Sequence, residues 1–220
     1  MFVCTSDWHL NQKEILEHER GTKFTSIESH DEYIVECVRR WLSKMHAEDT
    51  FYFLGDFGHP KEQTYQDLKE CFDKASCRTV AIHGNHDKED YEVSILRSLF
   101  DDVYNYPLWI APRVVISHYP CAVWRDEINI HGHTHSSKLN SCNHICASIH
   151  VSNYKPITDK TVSSAFGKIP KRDRRFLYEP WADMYKFTQK KEDVIYDKNR
   201  IIDLSASRVM MWLKENGKIE

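Results

Sequence analysis

Asp7 and His9 end the first apolar run of the chain, two residues apart. Asp56 ends the second behind Gly55, and Asn85, His86 and Asp87 end the third behind Gly84. His118 closes a fourth run, and His133 and His135 follow Gly132 at the close of a fifth. Carboxylates, imidazoles and one carboxamide, without cysteine, make a hard-to-borderline oxygen and nitrogen donor set. Such a set suits Mn, Fe, Zn or Ni better than copper or iron–sulfur chemistry. Two such ions about 3.5–4 Å apart can clamp a phosphate oxygen and acidify a bound water. Each fragment alone is a common surface feature. Five junctions of one design carry far more weight.

These residues need a scaffold that delivers strand ends to one place. Residues 2–6, 50–54 and 79–82 are short β-prone runs. Helical patterns separate them. Ser29 with Glu32 reads as a capping box, and Ile34, Val38, Trp41, Leu42 and Met45 then form one apolar face. Residues 61–75 turn Tyr65, Leu68 and Phe72 inward. This alternation predicts crossover connections and a largely parallel sheet, with ligands at the C-terminal edge of its strands. If the chain stays extended after the first strand, Asp7 and His9 point the same way. After a helix near 91–100, the runs 103–110, 114–117, 128–130 and 142–148 predict short strands with brief connections.

The 220 residues carry a net charge of −3, which argues against the whole chain being a nucleic-acid binder. No apolar run approaches the roughly 20 residues of a membrane helix. The first residues lack the pattern of a signal peptide, and the seven scattered cysteines read as reduced thiols, so a cytoplasmic location is expected. The run from Cys142 through His144 to Cys146 lacks a second ligand pair for zinc. Residues 168–220 hold 13 Lys+Arg against 9 Asp+Glu. A basic run at 168–175 precedes Phe176, Tyr178, Trp181, Tyr185 and Phe187, a mixture that either grips single-stranded nucleic acid or packs the segment onto the domain. Ile202, Ala206, Val209, Met210 and Leu213 then share one helical face. The organisation read from this is a domain over 1–160 and a basic, aromatic extension over 161–220 ending in an amphipathic helix.

The ordered set Asp7-x-His9, Gly55-Asp56, Gly84-Asn85-His86-Asp87, His118 and Gly132-His133-x-His135 resembles the calcineurin-like metallophosphoesterase superfamily. His118-Tyr119-Pro120 with Trp124, and Asn153-Tyr154-Lys155-Pro156-Ile157, are similar to its small bacterial and phage phosphoesterases. The resemblance covers roughly residues 2–155. It implies an α/β fold, a four-layer α-β-β-α sandwich, followed here by a mostly helical or irregular C-terminal extension.

By the same resemblance, Asp7, His9, Asp56 and His135 hold a first divalent ion. Asp56 bridges to a second, completed by Asn85, His118 and His133, with manganese the leading candidate. A metal-bound hydroxide attacks phosphorus. His86 donates a proton or hydrogen bond to the phosphoryl group or leaving oxygen, and Asp87 fixes the loop or orients His86. Relatives carry an acid three residues after Asp56, where this chain has His59. Arg20 is the candidate for a non-reacting phosphate oxygen. His83 and His131 read as supports or strand-end residues; His30, His46, His144 and His150 read as surface or satisfied core. The expected function is a phosphodiesterase acting on a nucleotide or nucleic acid, with a phosphomonoesterase as the alternative. A non-catalytic scaffold of the same fold is disfavoured because no ligand position is vacant.

Overall fold

Val3, Phe51, Phe53 and Ala81 belong to one apolar core, while Cys4, Leu54 and Ile82 belong to another. Residues adjacent in sequence thus face opposite ways, as a sheet buried between two layers requires. The computed structural model describes residues 1–18, 24–87, 90–124, 127–135, 139 and 141–169. In order these form β1 (Phe2–Thr5), α1 (Glu14–His18), α2 (Ile27–Leu42), β2 (Thr50–Phe53), α3 (Glu62–Asp73), β3 (Arg78–Ile82), α4 (Asp90–Leu99), β4 (Asp102–Tyr104) and β5 (Leu108–Ala111). Then come β6 (Val114–Ser117), β7 (Ile128–His131), β8 (His144–Cys146), β9 (Ile157–Thr158) and α5 (Asp159–Phe166).

The first sheet runs β4-β3-β2-β1-β9, with β1 to β4 parallel and β9 antiparallel to β1. The second runs β5-β6-β7-β8, with β5 its antiparallel edge. Ile34, Val38 and Trp41 of α2, Leu68 and Phe72 of α3, and Leu96 and Leu99 of α4 share the core on the outer face of the first sheet. Ile116, Ile128 and Ile130 of the second sheet join Cys4, Leu54 and Ile82 in the core between the sheets. The molecule is therefore the expected mixed α/β sandwich of two sheets. On the far face of the second sheet, Val115 packs with Cys121 and Val123.

Two local readings differ. The run 103–110 is two strands in two different sheets, β4 and β5. Pro107, which lacks an N–H for ladder pairing, sits between them. Helix α2 starts earlier than the capping box at Ser29 suggests: Ser26 is its cap and accepts from Ser29 N at 3.2 Å. The reason is Ile27, only 2% exposed, which is drawn into the packed face. The boundary drawn at 160 falls inside α5, whose Val162 packs into the core between the sheets. The basic run from residue 170 onward, the aromatics after it and the C-terminal helix lie outside the described residues, as does Arg20. No helix among the described residues is long and apolar enough to cross a membrane.

Candidate metal centre

The strand ends do not stay extended. Asp7, His9 and Asp56 have φ of 58°, 47° and 61°, and His133 and His135 have 64° and 45°. Left-handed backbone in residues other than glycine costs about 1–2 kcal/mol each, so something must hold it. The loops after β1 and β2 hold each other. Asp7 N donates to Gly55 O at 2.9 Å, His9 N to Asp56 O at 3.0 Å and Leu10 N to Phe57 O at 2.9 Å. Between Asp7 and His9 the Trp8 ring is fully buried, 4.5 Å from Phe53 and 5.5 Å from Phe57 between centroids. Asp7 and His9 thus converge through left-handed turns anchored by a core tryptophan, not through strand alternation.

The loop after β3 approaches just as closely. A Cβ on Gly84 would lie 2.1 Å from Asp56 Oδ1, and one on Gly55 would lie 2.3 Å from Gly84 N. Only glycine fits either place. Asp87, 1% exposed, clamps the two loops: its carboxylate accepts from Asp56 N at 2.7 Å, Phe57 N at 2.8 Å and Gly84 N at 2.9 Å. These three bonds tie the loops after β2 and β3 together. The second sheet joins the first here: Ser6 N, after β1, donates to Ala147 O at 3.1 Å and His133 N to Asp7 Oδ1 at 3.0 Å, which brings the ends of β7 and β8 to the same point.

Two groups result. Ligand atoms of Asp7, His9, Asp56 and His135 lie within 4.8 Å of one another, as do those of Asp56, His118 and His133, with Asp56 in both. His9 Nε2 is 3.1 Å from His135 Nε2 and 3.5 Å from Asp56 Oδ2. Asn85 Oδ1 lies 2.8 Å from His118 Nε2 and 2.7 Å from His133 Nδ1. The donor set fits a cation. Leu54 O, a pure acceptor, is 2.7 Å from His118 Nδ1, so that nitrogen carries the proton. In the tautomer that can ligate a metal, Nε2 turns a lone pair toward Asn85 Oδ1 and toward Asp56 Oδ2 at 3.5 Å. Buried lone pairs facing one another repel, and a positive ion among them removes the repulsion. Gln12 Oε1, 2.6 Å from His9 Nδ1, orients that ring in the same way.

The field agrees. Burial lowers the pKa of His9, and lowers that of His133 to about 4, with His118 adding to the effect. Both imidazoles are therefore neutral and able to ligate near pH 7. Burial alone would raise Asp56, but the facing His118, His9 and His86 hold its carboxyl below the ordinary carboxylate range. Burial and the Asp56 charge push Asp87 the other way.

His86 is exposed. Its backbone N donates to Asp56 Oδ1 at 2.9 Å, and its ring meets that of His9 edge-on at 5.2 Å between centroids. His59 pairs with Glu92, Nδ1 to Oε1 3.1 Å. His131 is buried, with Nδ1 2.7 Å from Gly132 O. His144 is satisfied by Ser141 Oγ and Cys121 O, both at 2.9 Å, away from the two groups. His150 departs from the surface-or-core reading. It lies nearly parallel to His135 (9°, 6.0 Å) and to His30 (6°, 5.7 Å), and burial beside them lowers its pKa to about 2. Its position shortly after β8 repeats the strand-end pattern and was the available signal. Gln12 gave none.

A family model described as calcineurin-like phosphoesterase matches residues 1–200. A crystal structure of a protein of unknown function from Aquifex aeolicus is similar, with a TM-score of 0.57 and 24% identity, over 74% of this chain and 98% of that one. That likeness is one of fold. No curated protein matches the chain.

Proposed function

This chain belongs to the calcineurin-like phosphoesterase family, and from that premise we propose that it is a phosphodiesterase acting on a nucleotide or nucleic acid. The coarser statement, a metal-dependent phosphoesterase, follows from the family together with the buried Asp and His cluster. The observation that carries the reading is Asp56, whose carboxylate is common to both groups of ligand atoms.

In this reading Asp7, His9, Asp56 and His135 hold one divalent ion, and Asp56, Asn85, His118 and His133 hold the other, with manganese the first to try. Bound there, the pair supplies Lewis acidity to phosphoryl oxygens and acidifies water. The chain's own residues do the rest. Gln12 and Leu54 O fix the proton on the outer nitrogens of His9 and His118, leaving Nε2 free to ligate. Asp87 holds the Asp56 and Gly84 loops in register. His86, at the exposed edge, donates a proton from its ring to the leaving oxygen. Among the described residues, which do not include Arg20, the contacts that build the cradle come from Asp, His, Asn, Gln and Ser, with no Arg or Lys among them. A dianionic monoester gains more from such cations than a diester does, which favours the diester.

Turnover of aryl phosphate mono- and diesters, cyclic nucleotides and short single-stranded oligonucleotides, compared in one panel with Mn²⁺, tests this. Diesters cleaved faster than monoesters are expected. A monoester preference would replace the reading with a phosphatase.

A further inference from the structure

His59 and Tyr91 stand apart from the cradle. Their rings lie 15° from parallel with centroids 6.5 Å apart. Both are open to solvent, the His59 side chain at 49% and Tyr91 at 57% exposure. Tyr91 belongs to neither large core. The pair is nevertheless anchored. Glu92, the next residue of α4, is 2% exposed, and its carboxylate meets His59 Nδ1 at 3.1 Å. A buried carboxylate gripping an exposed imidazole fixes where that ring stands.

The rings also stand in the right place. His59 follows Asp56 by three residues, and its backbone N donates at 2.9 Å to the carbonyl of Leu10, the residue after His9. Tyr91 follows Asp87 by four residues, at the start of α4. The two rings thus rise from the loop that carries Asp56 and from the segment that follows Asn85 and His86. The exposed His86, whose ring lies against His9, stands five residues before Tyr91 in the same stretch. Nearly parallel rings offer a face to another flat group, and every nucleobase has such a face.

We propose that His59 and Tyr91 form the site for the base, or an equivalent aryl group, of an ester whose phosphoryl group sits at the metal cradle. This rests on the nucleotide reading above and gives it a specificity element: a flat group stacked on Tyr91 and the Glu92-held His59. An ester with small alkyl groups gains nothing there.

Calorimetric titration of the full-length, Mn²⁺-loaded protein tests the site without turnover. The ligands are the adenosine analogue in which a methylene replaces the 5′ oxygen, so that a P–C bond stands where the ester bond would be, and methylphosphonate; neither has a P–O–C bond to cleave. The wild type should bind the nucleoside ligand about tenfold more tightly or better. Tyr91→Ala should bring the ratio close to one through the nucleoside ligand alone, and Tyr91→Phe should keep it. Equal affinity of the wild type for both ligands, or an equal loss for both in Tyr91→Ala, overturns the site. Cleavage of an aryl phosphodiester is followed on the same samples. A retained preference without diester cleavage overturns the diester reading and leaves the ring site standing. Diester cleavage with equal affinities overturns the ring site alone.

Discussion

Asp56 and His86 are joined by one hydrogen bond, 2.9 Å from the His86 amide to Asp56 Oδ1, yet they stand in regions built on different terms. Around Asp56 everything is enclosed: Asp7, His9, Asp56 and His118 are each no more than 4% exposed. The backbones of Asp7, His9 and Asp56 are held in left-handed turns by loop-to-loop hydrogen bonds and by glycines that admit no Cβ. Around His86 the side chains are open, and His86, His59 and Tyr91 meet solvent. The contrast separates two tasks. The enclosed region fixes donor atoms to a fraction of an ångström, as metal ligation demands. The open rim handles what varies between substrates and can change without disturbing the cradle.

Substitutions on the two sides should therefore fail differently. The largest effect is expected at Asp87, which touches neither substrate nor metal in this reading. Asp87→Ala strands three buried amides at about 1–3 kcal/mol each. Chemical denaturation should show a loss of several kcal/mol, accompanied by weaker metal binding. Unchanged stability would break the idea that this carboxylate clamps the loops. His86→Ala comes next. Turnover should fall about 10²–10⁴-fold, while the melting temperature and bound metal stay as in the wild type. Loss of metal in this variant would place His86 in the cradle and erase the contrast.

A further effect is in pH. His131 and His133, whose pKa values burial lowers to about 3 and about 4, stay neutral in the folded chain where an unfolded chain binds protons below about 6.5. Their contribution to stability is complete above 6.5 and is lost as pH falls toward 4 and then 3. Melting of the chelator-treated protein should drop steadily between pH 7 and pH 4. A flat profile would mean that these rings are not buried as neutral groups.

The cradle was far more legible in the sequence than the rim, and for a physical reason. Metal ligation restricts residue type, and parallel strands deliver their ends to one edge, so Asp7, Asp56, Asn85, His118 and His133 announced themselves by type and junction. The same logic anticipated the parallel sheet of β1 to β3, while the two-sheet sandwich was what the family resemblance implied. It failed at residues 103–110, because an apolar run does not say which of two sheets it enters, and Pro107 was the only mark of the break. It also missed the left-handed turns at Asp7 and His9. Those depend on hydrogen bonds to a loop almost fifty residues away, such as Asp7 N to Gly55 O. The partners on the rim were hidden for the same reason. His59 appeared only as the place of a missing acid, and the acid it meets, Glu92, lies 33 residues on, in helix α4.

The most direct test is the metal content of the full-length protein, wild type against Asp56→Asn, measured by plasma mass spectrometry after equilibration with Mn²⁺ and gel filtration, with diester turnover followed on the same samples. Two ions per chain in the wild type, with both metal retention and turnover lost in Asp56→Asn, is the predicted result. Two ions and wild-type turnover in Asp56→Asn would contradict the assignment of Asp56 as the group shared by both halves of the centre.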